Sequence, residues 1–431
     1  MKILLVAHRL AGNDGWSRYA LNLHDALVAR GHTITVVTPP PPLTFLTRPW
    51  RSFFLARKLR NMMHDTTYNV LHITVEPYAL AALFLPKRIA EKIVLTVHGN
   101  YGIRPFRLQR TRWMMQRVFA RIPRFITVSA YTKQAVMKEL ERMGKQKLAR
   151  RFDERATVIH NGIPLPFSSS ERNRPHHSPL FSSSERNRPH HSPLFSSSER
   201  CRSIASREVG RTLLDSSAEP VLSGVETADS LEENHPPSVA DASLEQSTKH
   251  ILHIGGVKPA KGVGEAIEAC SLYKEKYGTP FHLTIIGSFW RDHYVQGLEL
   301  LIHEKNLKDC VSFRGQISDA ELIEEYRKAD LLLVPSVTVD TTFEGFGLVY
   351  LESNAYGVPV IGPHMSGAAE AIKDGVSGYQ IDVFHPEMIA TRIHWILDEG
   401  RITSAACRKW AEEHSMEKVV AEVEEVYAMA F

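Results

Sequence analysis

The sequence predicts an α/β protein with two doubly wound, Rossmann-like domains that face a cleft, and with an insertion between them. Short apolar runs alternate with helical patterns over residues 1–166, and the same rhythm returns over residues 250–415. Each apolar run has the length of a buried parallel strand and leads into a glycine or a polar loop. Residues 167–249 between the two regions carry few side chains that form a core.

The length and composition fit a protein of two globular domains. The chain has 431 residues, of which 43% are hydrophobic, and a net charge of +4. These values allow two cores and indicate no nucleic-acid partner. The four cysteines are scattered without metal-ligand spacing, which predicts a reduced, cytoplasmic protein without a metal site. No apolar run approaches the roughly 18 residues of a membrane-spanning helix, and residues 2–7 predict a strand rather than a signal peptide.

The first domain, predicted over residues 1–166, begins with a βαβ unit. Residues 2–7 are the predicted first strand, residues 16–30 an amphipathic helix, and residues 33–38 the second strand. Gly31 ends the helix in the manner of a C-cap glycine. The other predicted elements are strands at 70–73, 93–97, 124–128 and 156–159 and an apolar helix at 78–85.

An internal repeat interrupts the chain after the first domain. Residues 168–181 recur without change as residues 182–195, and a third, incomplete copy begins at Ser196. The repeat matches no solenoid period, and its composition is typical of disorder. Residues 167–249 are therefore expected to be a disordered, low-complexity linker.

The second domain, predicted over residues 250–415, holds the most informative motif of the chain. Glu344 and Glu352 flank a segment that contains Gly345 and Gly347 and passes into a helical pattern. A buried-strand pattern at 329–336 precedes this segment, which places it at the carboxyl end of a strand, where α/β domains bind ligands. The other predicted elements are strands at 251–254, 281–286 and 311–313, helices at 263–277, 296–305 and 319–328, and a terminal helix within residues 416–431.

These residues resemble a known enzyme family. The shared motifs are Lys261-Gly262, Gly315, Pro335-Ser336, Glu344-Gly345-Phe346-Gly347, Glu352, Gly357-x-Pro359-Val360 and Glu370, with Gly31-His32 and His160-Asn161-Gly162 in the first domain. In combination they are similar to the retaining GT-B glycosyltransferases of family 4, also called glycosyl transferases group 1. The likeness covers both domains and leaves out residues 167–249.

The resemblance implies transfer of a hexose-type sugar, with retention at the anomeric carbon, from a nucleotide-diphosphate sugar. The acceptor would be a sugar, a lipid-linked or another hydroxyl compound, as in polysaccharide or glycolipid biosynthesis. A UDP- or GDP-sugar would be the co-substrate, with no other cofactor and no metal. The donor would lie on the second domain and the acceptor on the first, and residues 416–431 would form a helix that crosses back to the first domain. The alternatives are another GT-B enzyme, such as a nucleotide-sugar epimerase, and an inactive nucleotide-sugar-binding protein.

The resemblance also assigns roles to residues of the motif. Lys261 is expected to neutralise the diphosphate, Glu344 to hold the donor sugar near the developing positive charge, and Glu352 to accept hydrogen bonds from the ribose. The backbone N–H groups expected to contact the sugar and phosphates belong to Gly345, Phe346, Gly347, Leu348 and Val349. Many family members carry an arginine where this chain has Gly256, so one cation for the diphosphate is missing from that loop.

Four further residues are candidates for the site. Gly15 would let the first loop approach the donor phosphate, although a simple turn glycine gives the same pattern. His98 follows a predicted strand where the family often places a catalytic residue beside the sugar, although a lone histidine is more often structural. Arg314 and Gln316, on either side of Gly315, are expected where the nucleobase would stack and pair with the backbone.

Two segments of the first domain, at 48–58 and 104–124, are basic and aromatic. The second runs from Arg104 to Arg124 and contains seven arginines interleaved with large apolar side chains. This pattern fits peripheral contact with anionic lipid on the inner face of a membrane. It fits equally an amphipathic helix that packs on the sheet and keeps a charged outer face.

Overall fold

The computed structural model of the chain describes residues 1–10, 14–166, 247–289, 292–339 and 342–429. The described residues belong to one compact unit with two parallel sheets of six strands each. The two doubly wound regions predicted from the sequence are both present. Residues 167–246 of the predicted disordered insertion, with its repeats, lie outside the described residues, and Lys249 at its predicted end begins a strand.

The first lobe is built on a parallel sheet with the strand order β2-β1-β3-β4-β5-β6. This order puts the topological switch point between β1 and β3, and such points are where α/β sheets bind ligands. The strands are β1 (Lys2–Val6), β2 (Thr33–Val37), β3 (Val70–Ile73), β4 (Ile93–Val97), β5 (Arg124–Thr127) and β6 (Ala156–Val158). The helices are α1 (Gly15–Ala29), α2 (Leu43–Thr47), α3 (Arg51–Asp65), α4 (Lys87–Ala90), α5 (Asn100–Arg107), α6 (Arg112–Arg121), α7 (Ala130–Arg142) and α8 (Gln146–Arg155).

The second lobe has a parallel sheet with the order β12-β11-β10-β7-β8-β9. Counted within the lobe this is the Rossmann order, and its switch point lies between β7 and β10. The strands are β7 (Lys249–Ile254), β8 (Phe281–Ile286), β9 (Val311–Gly315), β10 (Leu331–Leu333), β11 (Val360–Pro363) and β12 (Gly378–Ile381). The helices are α9 (Val263–Tyr277), α10 (Asp292–Glu304), α11 (Asp319–Lys328), α12 (Leu348–Ala355), α13 (Pro386–Leu397), α14 (Ser404–Glu413) and α15 (Met416–Ala428).

The first helix shows how the sequence sets the element boundaries. Asp14 accepts a hydrogen bond from Ser17 N and so caps the N-terminus of α1, which satisfies one of the free N–H groups of the first turn. The apolar face of α1, with Leu23 fully buried, packs on the sheet. Gly31 follows the helix with φ of 83°, a backbone conformation that glycine adopts without steric cost.

The last helix, α15, packs on the first lobe although it follows the second in the chain. Val423 and Tyr427 belong to the same core cluster as Leu5 of β1. The Tyr427 hydroxyl lies 2.6 Å from His72 Nδ1 in β3, and Glu424 forms an ion pair with Arg30 at 2.7 Å. The chain therefore connects the two lobes at its carboxyl end as well as through residues 159–250.

Two elements illustrate how the structure departs from the sequence predictions. The apolar run expected as a helix at 78–85 is a 3₁₀ helix, Glu76–Phe84, that is buried on nearly all sides. Periodicity does not separate helix types when every side chain is apolar. Strand β12 is absent from the predicted set because its sequence, Gly-Tyr-Gln-Ile, lacks a continuous apolar run.

The basic segment Arg104–Arg124 packs as an ordinary amphipathic structure. It forms α5 and the separate helix α6, and its large apolar side chains, such as Phe106, Met115 and Phe119, are buried in the core of the first lobe. Trp113 alone among its aromatic residues is exposed. The apolar face that a membrane interpretation of this segment requires is therefore already used in the core. No helix in the described part of the chain is long and apolar enough to cross a bilayer.

Candidate functional site

A cavity of about 160 Å³ lies at the carboxyl ends of the central strands of the second lobe. We call it the glycine cavity, because Gly255 and Gly256 after β7 and Gly287 after β8 form its wall. Gln316, after β9, and Glu352, from α12, also line it. The cavity thus sits beside the switch point of the Rossmann-ordered sheet, where the strand order favours ligand binding.

A second cavity, of about 250 Å³, adjoins the first between the two lobes, and we call it the Glu344 cavity. Its lining includes His98 of the first lobe and Glu344 of the second. The two cavities share four lining residues: Asp14, Gly15, Leu348 and Val349. They therefore form adjacent parts of one cleft, and the two motif carboxylates lie in different parts of it.

Glu344 and Lys261 form an ion pair at the Glu344 cavity. Burial would raise the pKa of Glu344, but the positive charge and hydrogen bond of Lys261 outweigh it, and the pKa is lowered. Lys258 contributes a second positive charge, and its own pKa is lowered by burial and by Lys261. At neutral pH the site therefore carries an ionised carboxylate next to two lysines.

The N-terminus of α12 opens onto both cavities. Gly347 precedes the helix with φ of 80°, and a Cβ there would lie 2.5 Å from the Tyr350 ring, so this position requires glycine. The first-turn residues Leu348 and Val349 line both cavities. N–H groups of a first helical turn lack partners within the helix and favour anions.

Glu352 lies one helical turn into α12 and is held by residues from both lobes. Tyr326 donates a hydrogen bond to Glu352 Oε2 at 2.9 Å. Burial raises the pKa of Glu352, against the lowering effect of the Arg18 charge and the Tyr326 hydrogen bond. Arg18, from α1, lines the glycine cavity and forms an ion pair with Asp319 at 2.7 Å. A guanidinium of the first lobe thus stands beside the second-lobe carboxylate.

The first-lobe wall of the Glu344 cavity includes a neutral imidazole, that of His98. His98 donates through Nε2 to Thr74 O at 2.8 Å, and its backbone N–H donates to the buried Glu76. Burial lowers the pKa of His98 to about 4, so the ring is uncharged at neutral pH and its Nδ1 is an acceptor. Gly15 of the first lobe lines both cavities.

Of two residues considered for donor binding, Gly256 lies at the glycine cavity and Arg314 does not. Gly256 lines the glycine cavity, and the nearest atom to a Cβ built there is Ser288 O at 3.7 Å, so a side chain has room. Arg314 lines neither cavity among the described residues and instead pairs with Glu325 and Glu321 on α11. Gln316, two residues later, occupies the cavity wall. The structure therefore places Arg314 away from the cleft.

The loop that carries Glu344 is in direct contact with the first lobe. The backbone of Gly345 approaches so closely that an added Cβ would lie 1.8 Å from His98 O. Ser129, the N-cap of α7, donates to Gly345 O at 2.7 Å. Glu370 accepts hydrogen bonds at 2.8 Å from the backbone N–H groups of Ala130 and Tyr131, and its Oε2 lies 2.9 Å from His160 Nε2.

No group of three or more His, Cys, Asp or Glu side chains arranged for a metal ion occurs in the described ranges. The charges of the cleft come instead from single residues and ion pairs.

Comparison with known proteins identifies the family. The model described as "Glycosyl transferases group 1" matches residues 239–414, and the model described as "Glycosyltransferase Family 4" matches residues 13–166. Together the two models span both lobes. The chain belongs to this glycosyltransferase family.

Individual relatives agree with this family assignment. A D-inositol 3-phosphate glycosyltransferase of Acidothermus cellulolyticus is 33% identical over 155 residues, which is 35% of this chain and 34% of that protein. The amylovoran biosynthesis glycosyltransferase AmsK of Erwinia amylovora is 37% identical over 130 residues, covering 30% of this chain and 31% of that protein. The alignments thus span about a third of the length of these curated relatives.

Solved structures confirm the two-domain α/β GT-B fold predicted from the sequence. HepE of Anabaena, solved in complex with UDP and glucose, superimposes with a TM-score of 0.59 over 100% of both chains at 16% identity. At this identity the likeness concerns the fold.

The structure adds cleft residues that the sequence prediction does not include. Asp14, Trp16, Arg18 and Tyr326 line the cavities or hold residues that do, and each depends on contacts between distant parts of the chain. Asn161 lines the Glu344 cavity, and its buried Oδ1 has no hydrogen-bond partner within the described residues. The His160-Asn161-Gly162 motif was the available signal for Asn161.

Proposed function

We propose that the protein is a retaining glycosyltransferase that moves a hexose-type sugar from a nucleotide-diphosphate sugar to a hydroxyl acceptor. The observation that carries this proposal is the arrangement of Glu344 and Lys261 beside the N-terminus of α12, with Glu352 in the adjoining cavity. In this arrangement the lysine and the N–H groups of α12 would bind the phosphates of a sugar nucleotide. The two carboxylates would bind its hydroxyl groups.

The diphosphate would lie between Lys261 and the first turn of α12. Lys258 adds positive charge to the same region. An incoming diphosphate would share Lys261 with Glu344, because the two side chains are already paired. Charge-assisted hydrogen bonds of this kind are stronger than neutral ones, and the helix dipole acts in the same direction.

The nucleoside would occupy the glycine cavity. Glu352 lines it, and a carboxylate accepts two hydroxyl hydrogen bonds, as a ribose requires. Gln316, rather than Arg314, is the polar side chain placed to meet the base. UDP-sugars are the first donors to test, because HepE, which shares the fold, was solved with UDP and glucose; GDP-sugars are the second.

The sugar would lie in the Glu344 cavity between Glu344 and His98. Because its pKa is lowered, Glu344 is an anion suited to stabilise an oxocarbenium-like charge and not a general acid. His98 is neutral and offers an acceptor for a sugar or acceptor hydroxyl.

Retention would occur by attack and departure on one face of the sugar. Double displacement requires a second carboxylate about 5–5.5 Å from the first. Asp14 lines the same cavity, but its two oxygens accept hydrogen bonds from Ser17 N and Ser17 Oγ as the cap of α1. A covalent glycosyl adduct on Glu344, detected by mass spectrometry, would contradict this mechanism.

The names of two relatives support an acceptor class. One relative is named for D-inositol 3-phosphate and another for amylovoran biosynthesis, which supports a polyol, sugar or lipid-linked sugar acceptor in polysaccharide or glycolipid synthesis. The scattered cysteines of the sequence support action in the cytoplasm.

The test is nucleotide release from a panel of UDP- and GDP-sugars, with polyol, oligosaccharide and lipid-linked acceptors. We expect release by the wild-type protein with one donor and loss of release in Glu344→Gln. Thermal stabilisation by a nucleotide sugar without release or transfer would contradict the proposal and identify a binding protein. Conversion of the donor to its epimer would identify an epimerase.

A further inference from the structure

Four aromatic side chains form an exposed cluster on the first lobe, which we call the aromatic patch. Trp50, Phe53, Phe54 and Phe84 are each 44–59% exposed. Their rings contact one another in sequence, with centroid distances of 5.8 Å for Trp50–Phe54, Phe53–Phe54 and Phe53–Phe84. Contiguous exposed aromatic surface of this kind marks an interaction site, whereas single exposed apolar residues need no explanation.

The core does not account for the aromatic patch. Helix α3 buries a separate face, with Leu55, Ala56 and Leu59, against the lobe. Phe53 and Phe54 lie on its opposite, outward face, one turn before Arg57 and Lys58. The helix therefore has an apolar face inside and an aromatic, basic face outside. In α6, by contrast, Met115 and Phe119 are buried with the rest of the apolar face.

The surroundings of the aromatic patch are positively charged. Residues 33–64 contain five lysines and arginines and no aspartate or glutamate. Three of these cations, Arg57, Lys58 and Arg60, are exposed and form no ion pair within the described residues. Arg51 lies 5.8 Å from the Trp50 ring.

A groove runs beside the aromatic patch. It has a volume of about 500 Å³, and its walls include Pro39, Phe45, Trp50 and Phe54, with Lys58 at the same site. Apolar walls edged by cations suit an amphiphile with an acyl chain and an anionic headgroup.

We propose that the aromatic patch and the cations of α3 dock the protein on a lipid bilayer that contains anionic headgroups. Tryptophan favours the boundary between headgroups and acyl chains, and phenylalanine supplies the apolar face of helices that lie at that boundary. Clusters of lysine and arginine on a helix bind anionic lipid, with a contribution that salt screens. Residues 33–64, which supply three of the four aromatic residues of the patch, offer no negative charge to a cationic partner.

The position of the groove connects this surface to the cleft. Its wall follows β2, at the carboxyl edge of the first sheet. The Tyr78 hydroxyl donates to Pro40 O at 3.0 Å and lies 3.4 Å from His8 Nδ1, in the loop after β1. A bilayer on the aromatic patch would face the edge of the sheet that carries His98. Supply of a membrane-embedded acceptor from that bilayer rests on the proposed function, whereas the docking itself does not.

The experiment is flotation of the full-length protein with vesicles of phosphatidylcholine alone and with vesicles that also contain phosphatidylglycerol. We expect binding to the anionic vesicles that weakens as salt is raised. The triple variant Trp50→Ser/Phe53→Ser/Phe54→Ser changes only exposed side chains and should reduce binding at least tenfold. The variant Arg57→Glu/Lys58→Glu/Arg60→Glu should reduce it on the order of 100-fold.

Trp113→Ser is the matched control, because Trp113 is an exposed tryptophan beside Arg117 on the other basic segment. It should bind within twofold of wild type. Equal loss in Trp113→Ser, unchanged binding of either triple variant, or no binding by the wild type would overturn the proposal. So would a dimer, measured by light scattering, that forms through the patch in place of vesicle binding. Circular dichroism melts verify that each variant is folded, and nucleotide release, measured on the same samples, reports separately on the proposed activity.

Discussion

The two lobes share an architecture but present different chemistry to the cleft. Each is a parallel sheet of six strands, yet the first has its switch point between β1 and β3 and the second between β7 and β10. At the second-lobe edge stand an ionised Glu344, Lys261 and glycine loops. At the first-lobe edge stand a neutral His98 and the buried Glu76, whose pKa is raised to about 7.

This difference shows that a repeated fold does not repeat a site. A sugar nucleotide carries charge and needs cations and helix N-termini, which the second lobe provides. Under the proposed function the acceptor hydroxyl is neutral, and the neutral His98 of the first lobe offers it a hydrogen-bond acceptor. We therefore expect substitutions in the second lobe to change donor binding or turnover. We expect a substitution in the first lobe to change mainly the properties of that lobe.

The largest effect is expected for Glu344→Gln. Loss of the charge beside the sugar should lower kcat by about 100- to 1,000-fold, because it removes stabilisation that acts mainly in the transition state. Steady-state kinetics with the best donor of the panel measure this. Glu324→Gln, an exposed carboxylate on α11, is the control. A kcat within tenfold of wild type would show that the charge of Glu344 is not essential for transfer.

Glu352→Gln should act on donor binding and leave kcat at saturating donor nearly unchanged. A hydrogen bond to a charged group is worth about 1.5–3 kcal/mol, so affinity for the free nucleoside diphosphate should fall at least about tenfold. Calorimetric titration of UDP or GDP into each variant measures this. If Glu344→Gln weakens binding of the free nucleotide more than Glu352→Gln does, the two carboxylates do not divide sugar and ribose.

Gly256→Arg should strengthen donor binding by the second lobe. The position lines the glycine cavity, has room for a side chain and does not have a left-handed backbone. A guanidinium there should lower the donor KM by about tenfold through a charge-assisted hydrogen bond to the diphosphate. Gly256→Ala controls for the loss of glycine and should stay within twofold. An unchanged KM in the arginine variant would place the diphosphate elsewhere.

Glu76→Gln tests the neutral character of the first lobe and should give the smallest effect. Burial raises the pKa of Glu76 from 4.5 to about 7, so the folded protein binds this proton more tightly than the unfolded chain. Stability from this group is present below pH 4.5 and is lost as pH rises to about 7. Relative to wild type, the variant should therefore melt a few degrees higher at pH 8 than at pH 5.

Thermal melts at a fixed scan rate, from pH 5 to pH 8, measure this difference. Glu91→Gln, an exposed carboxylate after α4, is the control and should show no such trend. A difference between wild type and Glu76→Gln that does not change with pH would mean that Glu76 is ionised throughout.

Local patterns in the sequence predict the fold better than they predict the cleft. Strand and helix periodicity identifies both sheets, because buried parallel strands leave short apolar runs. Strand β12 is not predicted, because Gly378 and Gln380 interrupt such a run. The strand orders depend on which distant segments pair, and no local pattern carries that information.

For the site, too, local motifs predict some residues, whereas others depend on contacts between distant parts of the chain. Lys261, Glu344 and Glu352 follow from motifs within one lobe, and the structure brings them to one cleft. Arg314 was expected at the base, but it is exposed on β9 and pairs with α11, while the turn at Gly315 directs Gln316 to the cavity. Arg18 reaches the second lobe from α1, a contact that only the assembled chain reveals.

The hydrogen bonds of Glu370 affect the balance between protein molecules whose lobes are together and those whose lobes are apart. This second-lobe carboxylate completes the N-terminus of the first-lobe helix α7, so the helix is fully capped only while the lobes are together. Separation would return the N–H groups of Ala130 and Tyr131 to water. These hydrogen bonds therefore stabilise the form in which the lobes are together, and the apparent dissociation constant of a ligand that needs this form equals its intrinsic value divided by the fraction of protein in that form. The strength of a helix cap in one lobe thereby contributes to how tightly the other lobe holds its ligand.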